Sequence, residues 1–121
     1  MKLRIRGNSV RVRVTKGETA RLGAGEKVEQ ITEFSRDQRL VSCVEPSPHV
    51  SLATAEFAGG QIRVVLPLAQ VRTWAGSDAV SIEASQPIDS GQSLQILIEK
   101  DFECLHSKND ENADAFPNPR R

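Results

Sequence analysis

Apolar and charged residues alternate most sharply at the start of the chain. Residues 2–6 (KLRIR) and 10–14 (VRVRV) alternate with period two, the signature of a strand with one buried and one solvated face. Gly7-Asn8 between them supplies the positive φ that a two-residue hairpin turn demands. That turn sets a register in which Ile5 lies opposite Val10, Leu3 opposite Val12, Arg4 opposite Arg11 and Lys2 opposite Arg13. Thr15 with Glu18 forms a capping box for a short helix that Gly23 or Gly25 can close. Residues 28–34 and 39–45 read as two further strands around a polar turn. Glu45-Pro46-Ser47-Pro48 reads as a break, because proline cannot donate to a ladder.

The second part of the chain runs through the same kinds of element. Residues 51–57 and 61–66 form a hairpin around Gly59-Gly60. Pro67 suits the first position of a helix, in which Leu68, Val71, Trp74 and Ala75 recur at helical spacing and which Gly76 ends. Residues 80–84 read as a strand, 85–93 as a polar loop, and 94–102 (LQILIEKDF) as the last and most apolar strand. From Cys104 onward the chain is polar.

Residues 3–14 laid over 55–66 place Gly7-Asn8 on Gly59-Gly60, Ile5 on Phe57, Val10 on Ile62, Arg11 on Arg63, Val12 on Val64 and Val14 on Leu66. Leu22 then falls on Trp74, and Val28 on Val80. The expected fold class is α+β, mainly antiparallel β, built from a duplicated strand-strand-helix-strand-strand unit. One domain is expected over residues 1–121, with pseudo-repeat halves 1–47 and 50–103 and a polar tail 104–121. A half has too little apolar surface to fold alone, so both must share a core. Either a barrel with helices at its ends or two four-stranded sheets face to face with the helices outside satisfies that need. Barrel closure removes sheet edges and is favoured on that ground.

Composition adds two constraints. At 121 residues, 38% hydrophobic, with four Phe, one Trp and no Tyr, the core must rest on Val, Ile and Leu. Net charge is zero but unevenly spread: residues 1–21 carry seven cations against Glu18, and residues 99–114 carry six acids against two lysines. Whole-chain neutrality argues against general nucleic-acid affinity. No apolar run approaches a membrane span. Lys2, Arg4 and Arg6 interrupt any signal-like apolar stretch. The expectation is a cytoplasmic protein with reduced thiols.

The hairpin register stacks like charges. Lys2, Arg4, Arg6, Arg11 and Arg13 share one face, and each opposed pair costs up to roughly 1 kcal/mol relative to a neutral pair. A neighbouring acid among Glu29, Glu33, Glu45, Glu99 and Asp101, or the acidic tail, can offset this. So can a bound anion, since paired arginines grip phosphate or carboxylate bidentately. In the second hairpin Glu56 opposes Arg63, an arrangement that needs no ligand. The ligand-binding candidates are therefore Arg4, Arg6, Arg11 and Arg13, with Arg63 their counterpart in the other half.

Other constellations are weaker. Cys43, His49, Cys104 and His106 lack the spacing of a zinc module. A buried thiol at Cys43 and a surface pair at Cys104 and His106 is the expected reading. Asp110, Glu111 and Asp114 lack the glycine and regular carboxylate spacing of a calcium loop, and read as a solvated tail. Of these, Cys104, His106, Asp110 and Asp114 are the weak metal candidates. Phosphate-loop, HExxH and GxSxG motifs are absent. No catalytic residue and no cofactor is indicated.

Three blocks, LRIRGNSVRVRVT, ILIEKDFECL and DAFPNP, together resemble a small bacterial family of uncharacterised proteins. That resemblance spans nearly the whole chain. It implies no activity, but it does imply that Lys100, Asp101, Phe102, Cys104 and the segment 114–119 belong to the folded unit. The duplicated hairpins and the ladder of arginines are also similar in outline to the triphosphate tunnel family. That family's alternating glutamates followed by lysine are absent here, so this likeness implies a fold and not metal-dependent phosphohydrolysis.

The leading functional expectation is a non-catalytic binding or interaction protein using the basic strand face, with a small anionic ligand as partner. The alternatives are an enzyme acting on a phosphorylated small molecule, and a structural homodimer that sets the basic face of one chain on the acidic tail of another. No nucleic-acid or membrane partner is expected.

Overall fold

The opening hairpin forms in the expected register. In the computed structural model, which describes residues 1–102, β1 (Lys2–Ile5) and β2 (Ser9–Val14) pair as Lys2 with Arg13, Leu3 with Val12, Arg4 with Arg11 and Ile5 with Val10. Only Gly7 in the turn has positive φ, at 53°, and the Arg6 N–H donates to the Ser9 carbonyl at 3.2 Å. One left-handed residue at the first central position is the type II′ pattern, so Asn8 needs no left-handed conformation. In the second hairpin, β5 (Thr54–Ala58) and β6 (Gln61–Pro67), both Gly59 and Gly60 have positive φ.

Each hairpin runs into a helix. Thr15 and Glu18 make the reciprocal capping box of α1 (Lys16–Gly23), with Glu18 N–H to Thr15 Oγ1 at 3.2 Å and Thr15 N–H to Glu18 Oε1 at 2.9 Å. Glu18 also holds the amino group of Met1 at 2.9 Å, tying the start of the chain to this helix. α2 (Leu68–Ala75) begins directly after Pro67, which takes the cap position. The helices pack on each other where Gly23 meets Ala75, so closely that a Cβ built on Gly23 would lie 2.9 Å from that of Ala75.

Two more strands follow each helix: β3 (Val28–Ser35) and β4 (Gln38–Ser47), then β7 (Ser81–Pro87) and β8 (Ser93–Lys100). The eight strands form two sheets, ordered β1-β2-β8-β7 and β3-β4-β6-β5. Each sheet thus takes one hairpin from each half of the chain, and the hairpins join by a parallel central pair. Val12 lies beside Ile98 in one sheet and Val44 beside Val64 in the other. The sheets are mixed, with four antiparallel and two parallel pairings.

Several expectations need correction. Among the described residues the sheets do not close into a barrel; the two-sheet arrangement is the one that forms. The helices do not lie outside it, because Leu22 and Trp74 are fully part of the core with Val12, Val14, Val28, Val44, Val64, Leu66, Ile82, Ile96 and Ile98. Pro46 does not break β4. The ladder to β3 ends at Val28 and Val44, so no donor is required of Pro46 on that side, and it continues beside Leu66 of β6. The counterpart of Val28 is Ile82 and not Val80: Val28 pairs with Val44 as Ile82 pairs with Ile98, and both are buried while Val80 is half exposed. The stretch from the end of α2 to Ile82 is two residues longer than that from the end of α1 to Val28. Its Val80 carbonyl accepts the Trp74 indole N–H at 3.1 Å. The polar loop shrinks to residues 88–92 because β7 runs on to Pro87.

The edges β5 and β7 meet through one side chain. Gln86 accepts from the Ala55 N–H at 2.7 Å and donates to the Ala55 carbonyl at 3.0 Å, imitating a strand partner. Among the described residues no helix is long and apolar enough to cross a membrane. Cys104, His106, Asp110, Asp114 and the segment 114–119 lie outside the described residues.

Two substitutions test this packing. Gly23→Val forces a branched side chain onto Ala75 and is expected to cost about 1–3 kcal/mol, with Ala75→Gly restoring part of the loss. Gln86→Ala leaves two backbone groups of Ala55 without their partner, at a cost of about 1–3 kcal/mol. Urea unfolding followed by Trp74 fluorescence measures both.

Candidate functional site

Strand pleating sends Val10, Val12 and Val14 inward and Arg11 and Arg13 outward. The outer face of the first sheet therefore carries a row running Arg4, Arg11, Leu97, Glu83 across β1, β2, β8 and β7. The next row runs Lys2, Arg13, Glu99, Ser81. Glu99 answers the charge stack. Its Oε1 accepts from Arg11 Nε at 2.8 Å and Arg13 Nε at 2.6 Å, and lies 2.7 Å from Arg11 Nη2. Lys2 reaches Asp101 at 3.3 Å. Asp101 is itself placed by its backbone N–H, which donates to the Val14 carbonyl at 2.9 Å. Among the described residues the acids paired with this face are Glu99 and Asp101, both among those named from the sequence.

The same face of the second sheet provides a built-in comparison. There the row runs Glu56, Arg63, Cys43, Glu29 across β5, β6, β4 and β3. Arg63 donates through Nε to Glu45 at 2.8 Å and through Nη1 to Glu56 at 2.8 Å. Glu45 stands to Arg63 as Glu99 stands to Arg11, two pairs further along the parallel ladder and on the same face. Position by position, Leu97 matches Cys43, Glu83 matches Glu29 and Arg4 matches Glu56. One guanidinium with two carboxylates in the second sheet faces two guanidiniums on one carboxylate oxygen in the first. Arg4 has no ion pair among the described residues.

Of the five arginines named from the sequence, the structure brings Arg4, Arg11 and Arg13 together. With Lys2 and Leu3 they line a hollow of about 140 Å³. Arg11 also borders a wider shelf of about 570 Å³ floored by Leu97 and edged by Ser9, Ser85, Gln95 and Glu83. Arg6 lies apart. It follows the last paired residue of β1 and belongs to the turn, with no register partner. Arg63 is on the other sheet and is held by its two glutamates. Sequence reasoning missed Leu97, Ser85 and Gln95, because only the parallel pairing of β2 with β8 brings them beside Arg11.

Electrostatics follow these contacts. The hydrogen bond from Arg63 holds the Glu45 carboxyl below its ordinary value, against the opposing pull of burial. Arg63 is in turn held further above its usual range. Burial, then the Glu45 charge, pushes the Cys43 thiol up beside Arg63 in the second sheet's row, which favours the neutral form. Among the described residues no three His, Cys, Asp or Glu side chains gather as metal ligands. The basic face offers guanidinium donors around a small hollow, an arrangement whose geometry can accept an anionic group.

Glu99→Gln takes the shared charge from Arg11 and Arg13. It is expected to destabilise by about 1–3 kcal/mol, the loss shrinking in high salt, as urea titrations at two ionic strengths would show. A second test uses pH. Because folding depresses the Glu45 value, its contribution is complete above the unfolded carboxylate value of about 4.3. It is lost as pH falls through the folded value. The Glu45→Gln variant should therefore show a shallower fall in stability below that pH.

No curated protein and no solved structure matches the chain. The chain belongs to the family of unknown function DUF7009, which matches residues 1–120.

Proposed function

We propose that this is a non-catalytic binding protein for a small anion, a phosphate or carboxylate group, held between Arg4 and Arg11 on the outer face of the first sheet. One observation carries the reading. The two halves, taken as copies of one unit, differ in charge at one position of this row: Glu56 supports Arg63, whereas Arg4 faces Arg11. An external anion would occupy beside Arg11 the place that the Glu56 carboxylate occupies beside Arg63. The small hollow suits the anionic group, and the shelf beside Arg11, with Leu97 beneath and Ser85 and Gln95 at its edge, suits the rest of a small organic molecule. Charge-assisted bonds from two guanidiniums supply the attraction.

The internal comparison also supplies the test. Arg4→Glu should build the second sheet's arrangement into the first. The expected result is a higher melting temperature without ligand and the loss of any stabilisation by inorganic phosphate. Wild type should gain melting temperature with phosphate beyond that from chloride at equal ionic strength. An equal phosphate response in wild type and Arg4→Glu, or a lower melting temperature for the variant, overturns the proposal.

A further inference from the structure

The outer face of the first sheet is polarised across its strands, with its cations on β1 and β2 and its acids on β8 and β7. The row Arg4, Arg11, Leu97, Glu83 begins with two guanidiniums and ends, beyond the apolar Leu97, with a carboxylate. Arg11, Leu97 and Glu83 line the shelf of about 570 Å³ together with Ser9, Ser85 and Gln95. Glu83 is exposed and has no ion pair among the described residues. Glu99, the acid diagonal to it across the β7–β8 pairing, already shares one oxygen between Arg11 and Arg13.

The second sheet shows what closes such a row. There Glu56 answers Arg63 at 2.8 Å at one end, and Lys27 reaches Glu29 at 3.8 Å at the other. In the first sheet Arg4 stands in the place of Glu56. The place of Lys27, just before Val28, is taken by the neutral Ser81, just before Ile82. The first row is thus open at both ends, with a surplus cation at one and an unanswered carboxylate at the other. Arg11 and Glu83 sit two strand spacings apart, about 10 Å, with Leu97 as the floor between them. We propose that the ligand of this face is a small zwitterion. Its phosphate or carboxylate lies between Arg4 and Arg11, a short aliphatic chain crosses Leu97, and a protonated amine ends on Glu83. This rests on the anion reading above and adds the ligand's second charge. Such a molecule supplies at each end the charge that Glu56 and Lys27 supply in the second sheet, through charge-assisted bonds at both.

Isothermal titration of the full chain compares 3-aminopropyl phosphate with propyl phosphate, and 6-aminohexanoate with hexanoate. The tighter series names the anionic group. Within it the amine-bearing member should bind at least five-fold tighter than its amine-free analogue. Glu83→Gln should remove that preference by weakening the amine-bearing member, and Glu83→Asp should keep part of it. Glu83 is exposed on the outer face, so neither change disturbs the core. Arg4→Glu should weaken both members of the series. Equal affinity of the paired probes in wild type, or a preference that survives Glu83→Gln, overturns the zwitterion and leaves the anion reading standing. Absence of binding by all four probes overturns both.

Discussion

The parallel pairing of β2 with β8 and of β4 with β6 is the contact on which the rest depends. It joins strands 86 positions apart in the first sheet and 20 apart in the second, and splits each half between two sheets. Val10 and Val12 lie beside Ile96 and Ile98, and Val44 lies beside Val64, so the central ladders are also the centre of the core. If those ladders are absent, each half is two separate hairpins and an eight-residue helix, none with a closed apolar face. The halves therefore fold around each other. The long sequence separation of β2 and β8 makes closure of that pair the slow step expected of such a topology.

Much of the local structure was legible. The opening register follows from strict alternation and a short turn, and each of its four pairs forms as read. The capping box at Thr15 and Glu18 follows from two side chains three residues apart. The choice of partner strands was not legible, because Val10 and Val12 would pack equally well beside any valine- or isoleucine-rich strand. The same gap explains why Leu97, Ser85 and Gln95 went unnamed. Pro46 misled because a proline forbids only a donor, and whether a donor is needed depends on where the neighbouring strand stops. Val80 misled because a two-residue lengthening of one connection shifts the matching residue to Ile82 without changing the apolar pattern.

The charges were half legible. Glu99 and Asp101 could be named as partners of the basic face from sign alone. That one Glu99 oxygen would serve both Arg11 and Arg13 could not, since it needs the parallel register that sets Arg13 beside Glu99 and leaves Arg11 two pairs away on the same face. The same register places Glu45 beside Val65 and within reach of Arg63. A shared geometry thus carries two different charge counts. A row that is closed by Glu56 in one sheet is left open by Arg4 in the other.

The asymmetry extends beyond that row. Ala58 and Ser93 in one half stand where Arg6 and Arg39 stand in the other, and Val65 stands where Arg13 stands. The core positions do not follow this trend: Val12 and Val64, Val14 and Leu66, Leu22 and Trp74 keep their character. Core positions are bound by the shared packing, since a polar residue at any of them would be buried without a partner. Surface positions on the same strands carry no such constraint. Laid over each other, the two halves keep their buried positions alike while the outer face of the first sheet gathers cations. That difference follows from one structural fact, that pleating separates what the core constrains from what is free to differ.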